Sequence, residues 1–237
     1  MRLDRFLTET KVGSRSEVKK FIKKGQVTVN GQVEKNIGAQ IDENNAQVEF
    51  QGEKLHYEKF VYYLLHKPQG VVSATKDAQK TVLDLLLEKD QRGDIFPVGR
   101  LDKDTEGLLL LTNDGKLAHD LLSPKKHVEK EYFAKINGLV TEETIAFFAG
   151  GMTLKEDENI SPSQLKIVAV DQKVQTSEIL LIIHEGKFHQ VKRMFHKVGM
   201  EVTYLKRVRM GTLTLGQLAQ GQYRVLSEKE MEPLKNN

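Results

Sequence analysis

No cysteine occurs among the 237 residues. That excludes disulfide staples, thiolate metal sites and a cysteine nucleophile, and it fits a reducing compartment. Long apolar runs are missing as well, far short of the roughly 20 residues a bilayer-spanning helix needs. The opening Met-Arg-Leu-Asp-Arg carries charge and no apolar stretch of the secretory kind. Together these absences lead to the expectation of a cytoplasmic protein with no membrane partner. Nucleotide-cofactor fingerprints are absent too: no Gly-x-Gly-x-x-Gly follows a strand, and there is no P-loop. Seven histidines stand at positions 56, 66, 119, 127, 184, 189 and 196, none of them in a His-Glu-x-x-His pattern. Without cysteine or a clear acidic third ligand no metal site is expected, and the histidines are read as exposed or facing a polyanion.

What is present is a 39% hydrophobic fraction, enough for a packed core, with 29% charged residues and a mean hydropathy of −0.44. The length suits one large domain or two smaller ones. The net charge of +3 is unevenly spread. Residues 1–25 hold eight Lys/Arg against three Asp/Glu, residues 26–60 three against six, and residues 186–210 seven against one. Two separated basic stretches on a nearly neutral chain suit a polyanionic partner that touches both.

Residues 2–10 place Leu3, Phe6 and Leu7 at helical spacing. After Gly13, Ser14 and Glu17 form a capping box for a second helix to about Lys24, with Gly25 beyond its end. Val18, Phe21 and Ile22 share one face of it, and Lys19, Lys20, Lys23 and Lys24 the other. A strand at 26–30, an Asn30-Gly31 hairpin turn and strands near 33 and 48–50 follow. A lysine stripe on a helix is as readily a solvated face as a phosphate-binding one. The run Arg2-Leu-Asp-Arg-Phe-Leu, Gly13-Ser-Arg-Ser-Glu-Val, then Ile22-Lys-Lys-Gly-Gln-Val-Thr-Val-Asn-Gly31 resembles the S4-like RNA-binding domain. That resemblance makes Arg2, Arg5, Arg15, Lys19, Lys20 and Lys23 candidate RNA contacts. With a polar linker at 51–59, residues 1–58 are expected as this domain and 59–237 as a second.

The second part mixes strands and helices without a βαβ rhythm, which points to α+β. Strands are expected at 60–65, 129–136, 177–183, 202–205 and 211–215, and helices at 81–87, 116–122, 141–148 (N-capped by Thr141) and through 189–198. On the last, Val191, Met194, Phe195 and Val198 oppose Lys192, Arg193, His196 and Lys197, and Lys206-Arg-Val-Arg209 is expected to add to that basic patch.

The chain is organised around residues 96–115, where Asp102 and Asp104 precede the run Leu108 to Leu111 and Asn113-Asp114-Gly115 closes it. The leucines read as a buried strand ending in a tight turn, so the carboxylates lie in a loop backed by core. By spacing alone, Asp102 is as well read as a turn residue or as the ion-pair partner of Arg100.

Gly99-Arg-Leu-Asp-x-Asp-Thr-Glu-Gly-Leu-Leu-Leu-Leu-Thr-Asn-Asp-Gly115 is similar to the signature of pseudouridine synthases of the RsuA and large-subunit sister families. His66-Lys-Pro-x-Gly70, Lys130-Glu-Tyr132 and Glu185-Gly-Lys-Phe-His-Gln-Val-Lys-Arg-Met194 follow in the family's order, so with the S4-like part the likeness spans nearly the whole chain. It implies an α+β catalytic domain on a mixed, mostly antiparallel sheet with a central cleft. It implies Asp102 as the catalytic aspartate, Tyr132 as the tyrosine under the target base and Lys192 as the aspartate's basic partner, with Lys187 as a competing assignment. Arg100, Lys187, Arg193 and Leu205 are the implied substrate-binding residues, and Asp104 is left as a loop or capping residue.

The implied reaction isomerises a uridine, cutting N1–C1′ and joining C5 to C1′, with no redox change and so no cofactor. An ionised carboxylate can serve as nucleophile or proton acceptor, and a tyrosine ring offers a flat surface to a base drawn from its stack. The His-Gln-Val-Lys wording after Phe188 and the absence of a long basic tail resemble the small-subunit enzyme. The expected partner is therefore ribosomal RNA, 16S rRNA or a small-subunit assembly intermediate, with 23S rRNA as the alternative. A monomer suffices for this. A binding-only assembly factor would be expected to have lost the aspartate, the tyrosine or the basic partner, and all three are present.

Overall fold

Ser14 starts the second helix as its spacing to Glu17 requires. Its hydroxyl accepts the Glu17 N–H at 3.4 Å, and the Glu17 carboxylate accepts the Ser14 N–H at 2.9 Å. In the computed structural model, which describes residues 1–154 and 157–235, this helix belongs to the first of two compact units, Met1–Lys59 and Phe60–Asn237.

The first unit pairs α1 (Leu3–Glu9) and α2 (Arg15–Lys23) with a four-stranded antiparallel sheet. Its strands are β1 (Val27–Val29), β2 (Gln32–Val33), β3 (Val48–Phe50) and β4 (Glu53–Lys54), in the order β2-β1-β3-β4. Asn30 and Gly31, at φ 52° and 79°, make the two-residue turn between β1 and β2. Leu3, Phe6, Leu7, Val18, Ile22, Val27 and Val48 form the core of this unit.

The second unit is built on a nine-stranded mixed sheet. In chain order it contains β5 (Tyr62–Lys67), β6 (Phe96–Pro97), β7 (Glu106–Thr112), α3 (Gly115–Leu122), β8 (Lys130–Asn137) and α4 (Glu142–Ala149). A small separate hairpin follows, β9 (Met152–Thr153) with β10 (Asn159–Ile160). Next come β11 (Gln164–Asp171), β12 (Thr176–Ile183), α5 (Gln190–Lys197), β13 (Glu201–Met210), β14 (Leu213–Thr214), β15 (Tyr223–Val225) and α6 (Glu228–Lys235). The sheet runs β11-β12-β8-β13-β7-β5-β15, with β14 on β13 and β6 on β7. Its β13–β7 pair is parallel and the others are antiparallel. Among the described residues no helix is long and apolar enough to cross a membrane.

Leu108 to Leu111 are fully buried because β7 is central and covered on both faces. Leu109 and Leu111 pack on one side with Tyr63, Met194 and Phe195, and Leu108 and Leu110 on the other with Leu117, Leu121 and Met231. Gly107 lets β7 meet β13. Its φ is +112°, and a Cβ there would stand 2.2 Å from the Arg207 carbonyl oxygen.

Three local expectations change. Asn113-Asp114-Gly115 is not a free turn: Asp114 caps α3, accepting the Leu117 N–H at 3.1 Å. Residues 81–87 yield only the short 3-10 turn Leu83–Leu85. The strand expected at 202–205 runs ten residues, which takes Arg207 and Arg209 out of the basic patch. Arg207 is buried with its Nε donating to the Leu108 carbonyl at 2.8 Å, and Arg209 is bound by Glu131 at 2.7 Å and Glu129 at 2.8 Å. A guanidinium already engaged in this way is not offered to phosphate.

Candidate active site

The loop between β6 and β7 carries Asp102, and its main chain is fixed from beneath. Lys67, at the end of β5, is fully buried. Its ammonium donates to the main-chain carbonyls of Asp102 at 2.9 Å, Thr105 at 2.8 Å and Pro68 at 3.1 Å, with Lys103 at 3.5 Å. Burial pushes Lys67 down to about 8, against the nearby charges of Asp102, Asp104 and Glu106. Ser73 Oγ donates to the Leu101 carbonyl at 2.8 Å and accepts the Leu101 N–H at 3.1 Å, and the Gly70 N–H donates to the Lys103 carbonyl at 2.8 Å. The Thr105 N–H closes the loop on the Asp102 carbonyl at 3.0 Å. Such a frame holds the Cα of Asp102 while leaving its side chain free to face outward.

The Asp102 carboxylate, 27% exposed, points into a cleft of about 410 Å³. Lys192, from the first turn of α5, brings its Nζ to 3.2 Å from Asp102 Oδ2, and His189 Nε2 lies 3.4 Å from Oδ1. Tyr132 from β8 and Leu205 from β13 lie in neighbouring strands and line the same cleft, both more than nine-tenths buried. Arg100 and Lys187 also line it. Arg100 is exposed and forms no ion pair with Asp102 among the described residues, so the structural pairing weighed from spacing is not made.

Of the two candidate lysines, Lys192 stands beside Asp102. The Lys187 ammonium is turned away, donating to the Asn159 carbonyl and lying 3.6 Å from Glu185. Asp104, read from sequence as a partnerless loop residue, is the closer partner of Lys192, at 2.6 and 2.8 Å. Burial opposes ionisation of Asp104, but the hydrogen bond and charge of Lys192 outweigh it and hold this carboxyl below its usual range. Lys192 is raised in turn: burial works against its charge, and the Asp104 hydrogen bond and the Asp102 charge override that. The site is therefore a cation shared by two carboxylates, with His189 on the far side of Asp102.

Arg193, also expected at the substrate, does not line the cleft. It pairs with Glu158 and donates to the Phe188 carbonyl at 3.1 Å, because it lies one helical step (about 100°) round from Lys192. His66, expected at the surface, is buried and bonds the Leu218 carbonyl through Nδ1 at 2.8 Å. In the first unit, Arg2, Arg5, Arg15 and Lys19 line one groove, whereas Lys20 and Lys23 are exposed outside it. Arg2 is tied to Asp4 at 3.0 Å and Arg5 to Glu9 at 2.7 Å.

Residues 61–197 match the RNA pseudouridylate synthase family and residues 1–46 match the S4 domain. The chain belongs to the RNA pseudouridylate synthase family. It is 45% identical, over 99% of its length and 98% of the relative's, to an uncharacterized RNA pseudouridine synthase of Bacillus subtilis. Identity is 41% to that organism's ribosomal large subunit pseudouridine synthase B, covering 99% and 95% of the two chains. It is 38% to ribosomal small subunit pseudouridine synthase A of Vibrio vulnificus, covering 98% of each. A crystal structure of a pseudouridylate synthase, 36% identical, superposes over 99% of both chains with a TM-score of 0.68. The protein is thus a pseudouridine synthase, an isomerase, with an N-terminal S4 domain and an α+β fold. Asp102, Tyr132 and Lys192 all fall within the matched stretch of the synthase family.

Sequence reasoning missed four contributors to this synthase site. Lys67 and Ser73 act on main-chain atoms 28 to 38 residues away, and nothing in their spacing announces that. Asp104 was visible, but its partner comes from 88 residues further on. His189 lay in a motif that resembled the family, and only the structure puts it against Asp102.

Proposed function

We propose that the protein converts a uridine of ribosomal RNA into pseudouridine in the cleft at Asp102. The observation that carries this reading is the Asp102 carboxylate, set on a clamped loop between Lys192 and His189 with the ring of Tyr132 in the same cleft. The target base leaves its stack and lies against Tyr132. Asp102 acts on the nucleoside as nucleophile or proton acceptor while the N1–C1′ bond opens. The base turns, C5 joins C1′, the C5 proton leaves and N1 gains one, so atoms balance without any redox partner. Lys192 orients the carboxylate, and Leu205 closes the apolar side of the cleft. The groove at Arg15 and Lys19 holds RNA on the S4 domain.

We assign the substrate as 16S rRNA, free or in a small-subunit assembly intermediate, on the His189-Gln-Val-Lys192 wording at the entrance of α5. The 41% identity to a large-subunit enzyme, against 38% to a small-subunit one, favours 23S rRNA as the second reading. Carbodiimide-based mapping of pseudouridine in both rRNAs, from cells with and without the protein, tests this. One stop lost from 16S rRNA is expected. A stop lost from 23S rRNA instead selects the second reading, and unchanged maps of both reject the rRNA substrate.

A further inference from the structure

A groove of about 1220 Å³ beside the cleft has one feature the isomerisation leaves unused. Phe188 is 69% exposed, the most exposed of the large hydrophobic residues. Its ring is not loose. It stacks on the His189 imidazole at a centroid distance of 3.8 Å and an interplanar angle of 19°. The backbone beneath is fixed: the Arg193 guanidinium donates to the Phe188 carbonyl at 3.1 Å, Gln190 Oε1 accepts the Lys187 N–H at 2.9 Å, and His189 is held at φ 47°. An apolar ring so displayed costs free energy in water unless something covers it, and a pre-organised flat face loses little entropy when something does.

We propose that the Phe188–His189 stack is a platform for an unpaired nucleobase next to the uridine being isomerised. The inference rests on the RNA-isomerase reading. Two observations select this occupant. The groove is continuous with the cleft, sharing Arg100, Asp102, Lys187 and His189 with it. Its lining also offers the exposed cations Arg100 and Lys103, alongside Asp77 and Asp102, which suits a strand of phosphates bearing flat bases. Drawing one base out of an RNA stack uncovers the faces of its neighbours, and an aromatic ring a short distance along the strand re-covers one of them.

The test compares wild type with F188A, F188L and F188W as full-length chains. The probes are unmodified 16S and 23S rRNA transcripts labelled with tritium at uracil C5. Tritium release gives KM and kcat, and equilibrium binding gives Kd over a salt series. F188A is expected to raise KM and Kd about tenfold with kcat at saturating RNA within about twofold, the size a single base–aromatic stack supports. F188W should match or exceed wild type, and F188L should behave like F188A, because leucine is apolar but not flat. The slope of log Kd against log salt should stay the same, because stacking releases no counterions. Wild-type affinity in F188A, or full rescue by F188L, overturns the platform. So does a changed salt slope. Should wild type release no tritium from either transcript, turnover on free rRNA fails while the Kd series still decides the platform.

Discussion

Lys192 divides its ammonium between two carboxylates, closer to Asp104 than to Asp102. The three substitutions this suggests should separate cleanly. Asp102→Asn should lower tritium release from C5-labelled RNA at least about a thousandfold with RNA binding kept, since the group proposed to react is lost. Lys192→Gln should cost about a hundredfold, and Asp104→Asn less than about tenfold, because Lys192 then turns wholly to Asp102. If Asp104→Asn is as inactive as Asp102→Asn, the roles are misassigned. Lys67 makes a statement about pH. Burial pushes it and Lys130 down to about 8, and the Arg207 charge adds to the effect on Lys130. In the unfolded chain a lysine titrates near 10.4. Between about pH 8 and 10 the unfolded state therefore holds more protons than the folded state. Stability should rise across that window, by about 1 kcal/mol per lysine at pH 9 relative to pH 7. Urea denaturation at the two pH values measures the rise. Lys67→Met, at whatever lower baseline its lost donors leave, should remove about half of it.

Among the elements, β7 was legible and β13 only over residues 202–205. Four consecutive leucines can all be buried only in a strand covered on both faces, so the run declares itself. β13 is as long as any strand in the sheet, yet Lys206, Arg207 and Arg209 disguise its second half, because the partners of the two arginines, Leu108, Glu131 and Glu129, are far off in the chain and leave no mark nearby. Asp114 was misread for a related reason: aspartate before glycine serves a turn or a helix N-cap equally well, and the apolar face of α3 decides which. The helix α5 was read correctly down to its faces, so Lys192 was legible as a residue pointing away from the core, though not the 2.6 Å contact with Asp104. The β7–β13 junction carries its own prediction. Gly107→Ala would bring a methyl 2.2 Å from the Arg207 carbonyl at φ +112°. It should cost more than about 3 kcal/mol in denaturant unfolding, since strands and φ must both shift. A loss under about 1 kcal/mol would mean the junction yields more easily than this geometry implies.

At the scale of the whole molecule, counting charge overstated the second basic stretch. Arg207 is buried, and Arg193 and Arg209 are bound by carboxylates. In the first unit Arg2 and Arg5 are tied to acidic neighbours, whereas Arg15 and Lys19 are exposed on the groove. Replacing Arg15 and Lys19 together by alanine should lower the slope of log Kd against log salt by about 1.5, as two lost phosphate contacts require. Arg209→Ala should leave the slope as it was. An unchanged slope in the double variant would return that groove to ordinary solvated surface.

The clasp under Asp102 has one more consequence. Lys67 and Ser73 hold carbonyl oxygens and an amide, atoms that every residue but proline possesses, so they are indifferent to what other side chains the loop displays. Positions 103 and 104 are exposed and can be rewritten without displacing the backbone of 102. In such a loop the place of residue 102 is set through the main chain, whatever side chains its neighbours carry.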